Sequence, residues 1–94
     1  MIVSFRDRET ERLWCGDSCR RLPPWILGTA MRKLRLLNEA ASLAEVASPP
    51  GNRLEALSGD RLGQYSIRIN DQWRICFRWS EQGPADVQIV DYHG

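Results

Sequence analysis

A chain of 94 residues can bury one modest hydrophobic core but not two, so residues 1–94 are expected to form a single domain. Hydrophobic residues make up 43% and include four tryptophans, a globular rather than a disordered composition. The net charge of +1 conceals twelve arginines against one lysine, Lys33, balanced by twelve acidic residues. Guanidinium forks grip phosphate and stack on flat rings, which suits a nucleic-acid partner; codon bias toward arginine would give the same count. No run reaches the roughly 18 apolar residues of a membrane span, and charges interrupt Met1–Glu9 where a signal peptide would be apolar. A cytoplasmic location with no membrane partner is therefore expected. Cys15, Cys19 and Cys76 are odd in number, unlike a secreted disulfide scaffold, and with His93 they match no usual zinc spacing. Glycine-rich phosphate loops, G-x-S-x-G and H-E-x-x-H are missing from the sequence. Nucleotide-hydrolase, serine-hydrolase and metalloprotease readings go with them, and no metal or cofactor is expected.

In chain order, Ile2–Phe5 reads as a short strand. Asp7 is a plausible helix N-cap, with Glu9 and Glu11 in the first turns, Leu13 and Trp14 on an apolar side, and Gly16 as the stop. Pro23 and Pro24 suit a first helical turn, after which Leu27, Ala30, Met31, Leu34, Leu37 and Ala41 recur at three-four spacing, predicting a helix of about five turns. Its other face carries Arg32, Lys33, Arg35 and Glu39, as a solvated face or a basic groove. Leu43–Ala47 adds a further turn before the connector Ser48-Pro49-Pro50-Gly51-Asn52, which separates a helical half from a stranded half.

Beyond the connector the period becomes two. Tyr65, Ile67 and Ile69 share one side of a strand, and Trp73, Ile75, Phe77 and Trp79 one side of the next. Pairing Ile69 with Trp73 puts both sets on one face and leaves Asn70-Asp71-Gln72 as the loop. The same register sets Arg68 opposite Arg74, and Arg78 opposite Gln64, on the other face. Like charges so placed repel unless an anion intervenes, unless a neighbouring Asp or Glu meets them, or unless both splay to solvent. Ser80–Ala85 reads as a turn and Val87–Val90 as a final strand, ending in Asp91-Tyr92-His93-Gly94.

Those last residues hold the candidate chemistry. Imidazole exchanges protons near neutral pH, an adjacent Asp91 could orient His93, Tyr92 could stack on a base, and an arginine face could hold a phosphate and its transition state. These are the parts of a ribonuclease in which the 2′-hydroxyl attacks its own phosphodiester, a reaction that needs no metal.

The opening Ile2-Val3-Ser4-Phe5-Arg6-Asp7 with Glu9-Thr10-Glu11, the segments Arg53–Asp60, Gly63–Asn70 and Trp73–Arg78, and the ending Val90-Asp91-Tyr92-His93 together resemble the HigB toxins of the RelE/ParE superfamily, in order and over nearly the whole chain. The resemblance implies an α+β fold: an N-terminal strand and two to three helices packed on a mainly antiparallel sheet of four to five strands. It further implies a ribosome-dependent mRNA endoribonuclease that inhibits translation and growth. Its partners would be a HigA-type helix-turn-helix antitoxin, the ribosome and mRNA, with operator DNA reached only through the antitoxin. Arg74 falls on the family's phosphate-contacting arginine, and Asp91, Tyr92 and His93 on its C-terminal active-site residues. Two positions depart from the family pattern R-L-H-x-L-K-G, with Glu55 for the histidine and Ser58 for the lysine. Glu55 could replace the base, as a glutamate does in the related YoeB-type toxins, leaving His93 as acid, or it could be a surface residue paired with Arg53 or Arg61. Arg53, Arg61, Arg68 and Arg78 are the cations available to make up for the lysine in holding RNA.

Two other functions fit the same fold: a ParE-like gyrase poison, against which the Asp91-Tyr92-His93 ending speaks, and a catalytically weak toxin-fold protein kept for antitoxin binding, which Glu55 and Ser58 would suit. A partner could cover Trp14, Trp25 and the Arg20-Arg21 pair, although burial of both tryptophans in the core is the simpler expectation. Residues 41–94 hold five basic and seven acidic groups against eight and five in residues 1–40, so a few placed arginines, not general basicity, must draw an RNA to the second half.

Overall fold

The structure, a computed structural model, describes residues 1–92. Asp7 caps helix α1 (Arg8–Trp14), its carboxylate accepting from the Thr10 N–H at 3.3 Å. The helix stops at Gly16, whose φ of 84° lets the Gly16 N–H reach the Leu13 carbonyl and the Asp17 N–H the Arg12 carbonyl at 2.8 Å, a Schellman end. Helix α2 (Pro24–Glu39) starts with proline in its first turn, and helix α3 (Leu43–Ala47) is capped by Ser42. The buried stripe of α2 is Ile26, Ala30, Leu34 and Leu37. It is rotated slightly from the expected one: Leu27 and Met31 are half-buried flanks, and Ala41 lies past the helix end.

The Pro-Pro connector is not a free linker. Pro50–Asn52 forms a 3-10 turn in which Asn52 is buried, donating to the Val46 carbonyl at 3.0 Å and accepting from Lys33. Four strands follow, β1 (Glu55–Ala56), β2 (Tyr65–Arg68), β3 (Trp73–Ser80) and β4 (Gly83–Asp91), antiparallel in sequential order. The β2–β3 register is the expected one: Ile67 faces Ile75, Arg68 faces Arg74, and the Ile69 N–H donates to the Trp73 carbonyl at 2.9 Å. The ladder closes at Tyr65–Phe77, so the expected Gln64–Arg78 pair does not form. Gly63, at φ 91°, turns the chain there, and the Gln64 carbonyl instead accepts from the Leu57 N–H at 2.9 Å.

β4 starts earlier than the turn residues suggest, after a two-residue hairpin at Glu81-Gln82. A bulge opposite Phe77 then restores the inward phase of Val87 and Ile89, with Asp86 in the left-handed region at φ 51°. The opening segment is a bridge rather than a strand: Phe5 pairs with Val87 in parallel, and the Val3 N–H donates to the Pro84 carbonyl at 2.7 Å. Thr10 on α1 continues this edge, its hydroxyl accepting from the Ile89 N–H at 2.9 Å, so the outward amides of Val87 and Ile89 are both satisfied, the first by the Ser4 carbonyl. The result is an α+β molecule whose α2 stripe packs on Ile67, Ile69, Ile75, Phe77, Val87 and Ile89 from one sheet face. Trp14 packs at the margin of this core, whereas Trp25, expected inside, is 78% exposed. Among the described residues no helix is long and apolar enough to cross a membrane.

Candidate active site

The sheet face turned away from the helices is polar because strand alternation puts the other half of each strand there. Direct cross-strand pairing sets Glu55, Ser66, Cys76 and Gln88 in one row, and Arg68, Arg74 and Val90 in the next. Tyr92 follows one step beyond, its N–H donating to the Gln72 carbonyl at 2.6 Å.

Arg74 is the centre of this face. Its side chain is only 15% exposed, and Nη1 lies 3.6 Å from Glu55 Oε1, an ion-pair distance too long for a hydrogen bond. The pair spans β2 at Ser66, whose short buried side chain leaves room for it. The Tyr92 ring stands on another side, its centroid 5.6 Å from the guanidinium carbon, in cation–π range. Arg74 Nε and Nη1 are both shielded from solvent and make no hydrogen bond among the described residues, nor does Ser66 Oγ. These two donors lie between an aromatic ring and a carboxylate, so an anionic oxygen would reach them only once the Tyr92 ring or the Glu55 carboxylate moves aside.

The two facing arginines are answered differently. Glu55 meets Arg74, while Asp71, in the hairpin loop, accepts from Arg68 Nη2. That hydrogen bond and the Arg68 charge hold the Asp71 carboxyl below its usual value of 3.8, with Arg53 and Arg74 adding to the effect. Arg61, on the 3-10 turn Gly59–Arg61, donates to Gln64 at 3.1 Å and to Gln88 at 3.3 Å and so lies across the same face. Beneath it Cys76 is fully buried, and burial raises its thiol pKa against the lowering charges of Arg61 and Arg74.

The remaining candidates are more dispersed. Arg53 is exposed, immediately after the connector turn, with φ 45°. Glu55 pairs with neither Arg53 nor Arg61 but with Arg74. Arg78 stands four residues along β3, about 13 Å from Arg74 by strand rise, and its Nε meets Asp86 at 3.5 Å. Asp91 pairs with Trp73 and so sits on the opposite side of the pleat from Tyr92; both its oxygens accept from Gln72 Nε2 at 3.1 Å. His93 lies outside the described residues. Sequence reasoning missed Ser66, Gln72 and Asp71. Only Asp71 had a local signal, an acid three residues after Arg68. No group of three or more His, Cys, Asp or Glu side chains among the described residues is placed to hold a metal ion.

The comparisons agree with this architecture. A family model described as the RelE-like toxin of the type II toxin–antitoxin system HigB matches residues 3–93. Toxin HigB-1 of Vibrio cholerae is 39% identical over 94 residues, covering 99% of this chain and 98% of its own. Endoribonuclease HigB of Proteus vulgaris is 26% identical over 93 residues, covering 99% and 100%. An uncharacterized protein of Haemophilus influenzae is 32% identical over 90 residues, covering 95% and 88%. Such a toxin has an antitoxin as its partner, and the chain belongs to the HigB-like, RelE-type toxins of type II toxin–antitoxin systems.

Proposed function

We propose that this toxin is a ribosome-dependent mRNA endoribonuclease that acts in the cytoplasm and is silenced by a HigA-type antitoxin. The observation that carries the reading is Arg74, largely buried on the polar sheet face with two unsatisfied donors between Glu55 and Tyr92. In the reaction the RNA 2′-hydroxyl gives its proton to a base and forms a bond to phosphorus. The bond from phosphorus to the 5′-oxygen breaks, and an acid protonates that oxygen. The products are a 2′,3′-cyclic phosphate and a 5′-hydroxyl end. Arg74 takes the role of holding the phosphoryl oxygens, whose negative charge grows in the transition state. Glu55 takes the base, His93 the acid, and Tyr92 stacks on a nucleobase flanking the cut. Arg61, Arg68 and Arg53 line the approach of the strand; Arg78, engaged by Asp86, has the weakest claim. Asp91 acts as a positioning residue for the C-terminal segment through its hydrogen bonds with Gln72.

The test is cleavage of mRNA in a translating extract. Wild-type toxin should produce cyclic-phosphate ends, and Arg74→Ala and His93→Gln should each cut at least about a hundredfold more slowly. Undiminished cleavage by both variants would remove the assignment. The Glu55–Arg74 ion pair also favours a second reading, a slow toxin whose main cation is partly neutralised in the resting state. That reading is met if wild-type cleavage is weak and rises on substitution of Glu55.

A further inference from the structure

The hairpin end of the polar face gathers more positive charge than the Arg74 centre uses. Arg68 and Arg74 are direct cross-strand neighbours, roughly 5 Å apart at their Cα atoms, yet their guanidinium groups part, one toward Asp71 and the other toward Glu55. They therefore address separate anions. Arg53 leaves the connector turn in the left-handed region at φ 45° with its side chain exposed, and it stands two residues before the antiparallel Glu55–Ser66 pair, toward the Arg68 end of β2. The residue before it, buried Asn52, is held from one side by the Val46 carbonyl and from the other by the Lys33 ammonium. The only lysine of the chain is thus fixed just behind Arg53. Burial lowers its pKa, and the charges of Arg32 and Arg68 lower it further. An acid does answer this cluster: Asp71, whose side chain is 98% exposed, folds back onto Arg68.

A carboxylate and a phosphodiester present the same pair of acceptor oxygens to a guanidinium. An ion pair this exposed contributes little and exchanges readily. Building on the RNA-cleaving reading of the Arg74 centre, we propose that Arg53 and Arg68, backed by Lys33, form a second phosphate subsite, which the Asp71 carboxylate fills until a phosphodiester of the bound RNA displaces it. The subsite would take a phosphate of the same strand that lies away from the bond being cut. It gives this chain a cationic contact that the serine at position 58 cannot supply.

The test uses the intact toxin and two RNAs made uncleavable by 2′-O-methylation: a dinucleotide with a single phosphodiester and a tetranucleotide, each titrated by NMR. Asp71→Asn is expected to tighten tetranucleotide binding about three- to fivefold. It should steepen the dependence of log affinity on log salt by up to about 0.7, because no displaced carboxylate takes up a cation in exchange for the one the single-strand phosphate releases. It should leave the dinucleotide unchanged. Arg53→Gln should weaken the tetranucleotide alone. Equal effects of Asp71→Asn on both RNAs would show a general change of charge and overturn the subsite, as would no effect on the tetranucleotide. Arg74→Ala separates the two claims, because it should weaken the dinucleotide. If it does so while Asp71→Asn changes nothing, the subsite falls and the cleavage site stands; if it leaves dinucleotide binding intact, the cleavage-site reading falls and the subsite with it.

Discussion

Glu55→Gln isolates the question on which the chemistry of the toxin turns, because the amide keeps the shape of the side chain and removes both its charge and its capacity to accept a proton. At 3.6 Å, the attraction between Glu55 and Arg74 runs from about 1 kcal/mol in bulk water to about 4–5 kcal/mol at an effective dielectric of 20. The Glu55 side chain is 54% exposed, which sets the working value near the lower bound, about 1 kcal/mol. Releasing Arg74 from that attraction should therefore tighten binding of an uncleavable RNA about fivefold. Loss of a general base should slow the chemical step about 10²- to 10⁴-fold. The two effects have opposite signs and separate in a single-turnover assay on mRNA-programmed ribosomes: affinity rises while the rate at saturation falls. A saturated rate within about threefold of wild type would refute Glu55 as base and leave it as a restraint on Arg74. A slower rate with unchanged affinity would refute the electrostatic half of the reasoning.

Two predictions concern the scaffold. A Cβ at Gly83 would lie 2.3 Å from the Met1 carbonyl oxygen, at a φ of 131° that side chains rarely adopt, so Gly83→Ala should cost about 1–3 kcal/mol in urea unfolding and speed hydrogen exchange at the Val3 amide; an unchanged midpoint would contradict the packing of the N-terminal segment on β4. The Cys76 thiol titrates above its usual 9.0 in the folded chain, so the unfolded chain releases that proton first. Its contribution is complete below about pH 9 and is lost as pH rises toward the folded value, by up to about 1.4 kcal/mol per pH unit. The urea midpoint of wild type should thus fall more steeply between pH 9 and 10.5 than that of Cys76→Ala, and parallel curves would refute it.

What could be read in the sequence was whatever repeats with a fixed period or ends at a chemically distinctive residue. Alternation over Tyr65–Ile69 and Trp73–Trp79 admits one in-phase antiparallel register near a three-residue loop, so the Arg68–Arg74 pair followed from counting. Asp7 and Gly16 marked the ends of α1 for equally local reasons. The start of β4 was hidden by Pro84, which reads as a strand breaker. Pro84 sits opposite Trp79, one step from the hairpin turn, at a pair that needs no N–H from it, and its carbonyl is free to accept from Val3. The bulge at Asp86 was hidden because it exists only as a mismatch between two strands. The Glu55–Arg74 contact was out of reach for the same reason. It joins strands that are not neighbours, and it depends on the pairing of a two-residue strand and on a small residue, Ser66, in the strand between. The tryptophan at position 25 shows the limit of composition, since a proline-led first turn put a large apolar ring at the surface.

Arg74 is costly to the fold in the way expected of a group kept for function. Its Nε and Nη1 are removed from solvent without a hydrogen bond among the described residues, and each unsatisfied donor of this kind costs roughly 1–3 kcal/mol. The nearby carboxylate offsets part of that cost, but Glu55 is itself well solvated and loses little if its partner is removed. Arg74→Met keeps much of the stem that covers Ser66 and discards the buried charge. Replacing buried ionic groups by apolar ones of similar volume is often neutral or stabilising by about 1–4 kcal/mol, and the half-exposed partner argues for the low end of that range. For a domain of this size a gain of about 1 kcal/mol raises Tm by about 4–8 °C. Arg74→Met should therefore melt higher than wild type while losing mRNA cleavage, and the Tyr92 ring, deprived of its cation, should become more mobile by NMR. A variant less stable by more than about 1 kcal/mol would mean that Arg74 supports the sheet, and its burial would then say nothing about an anion.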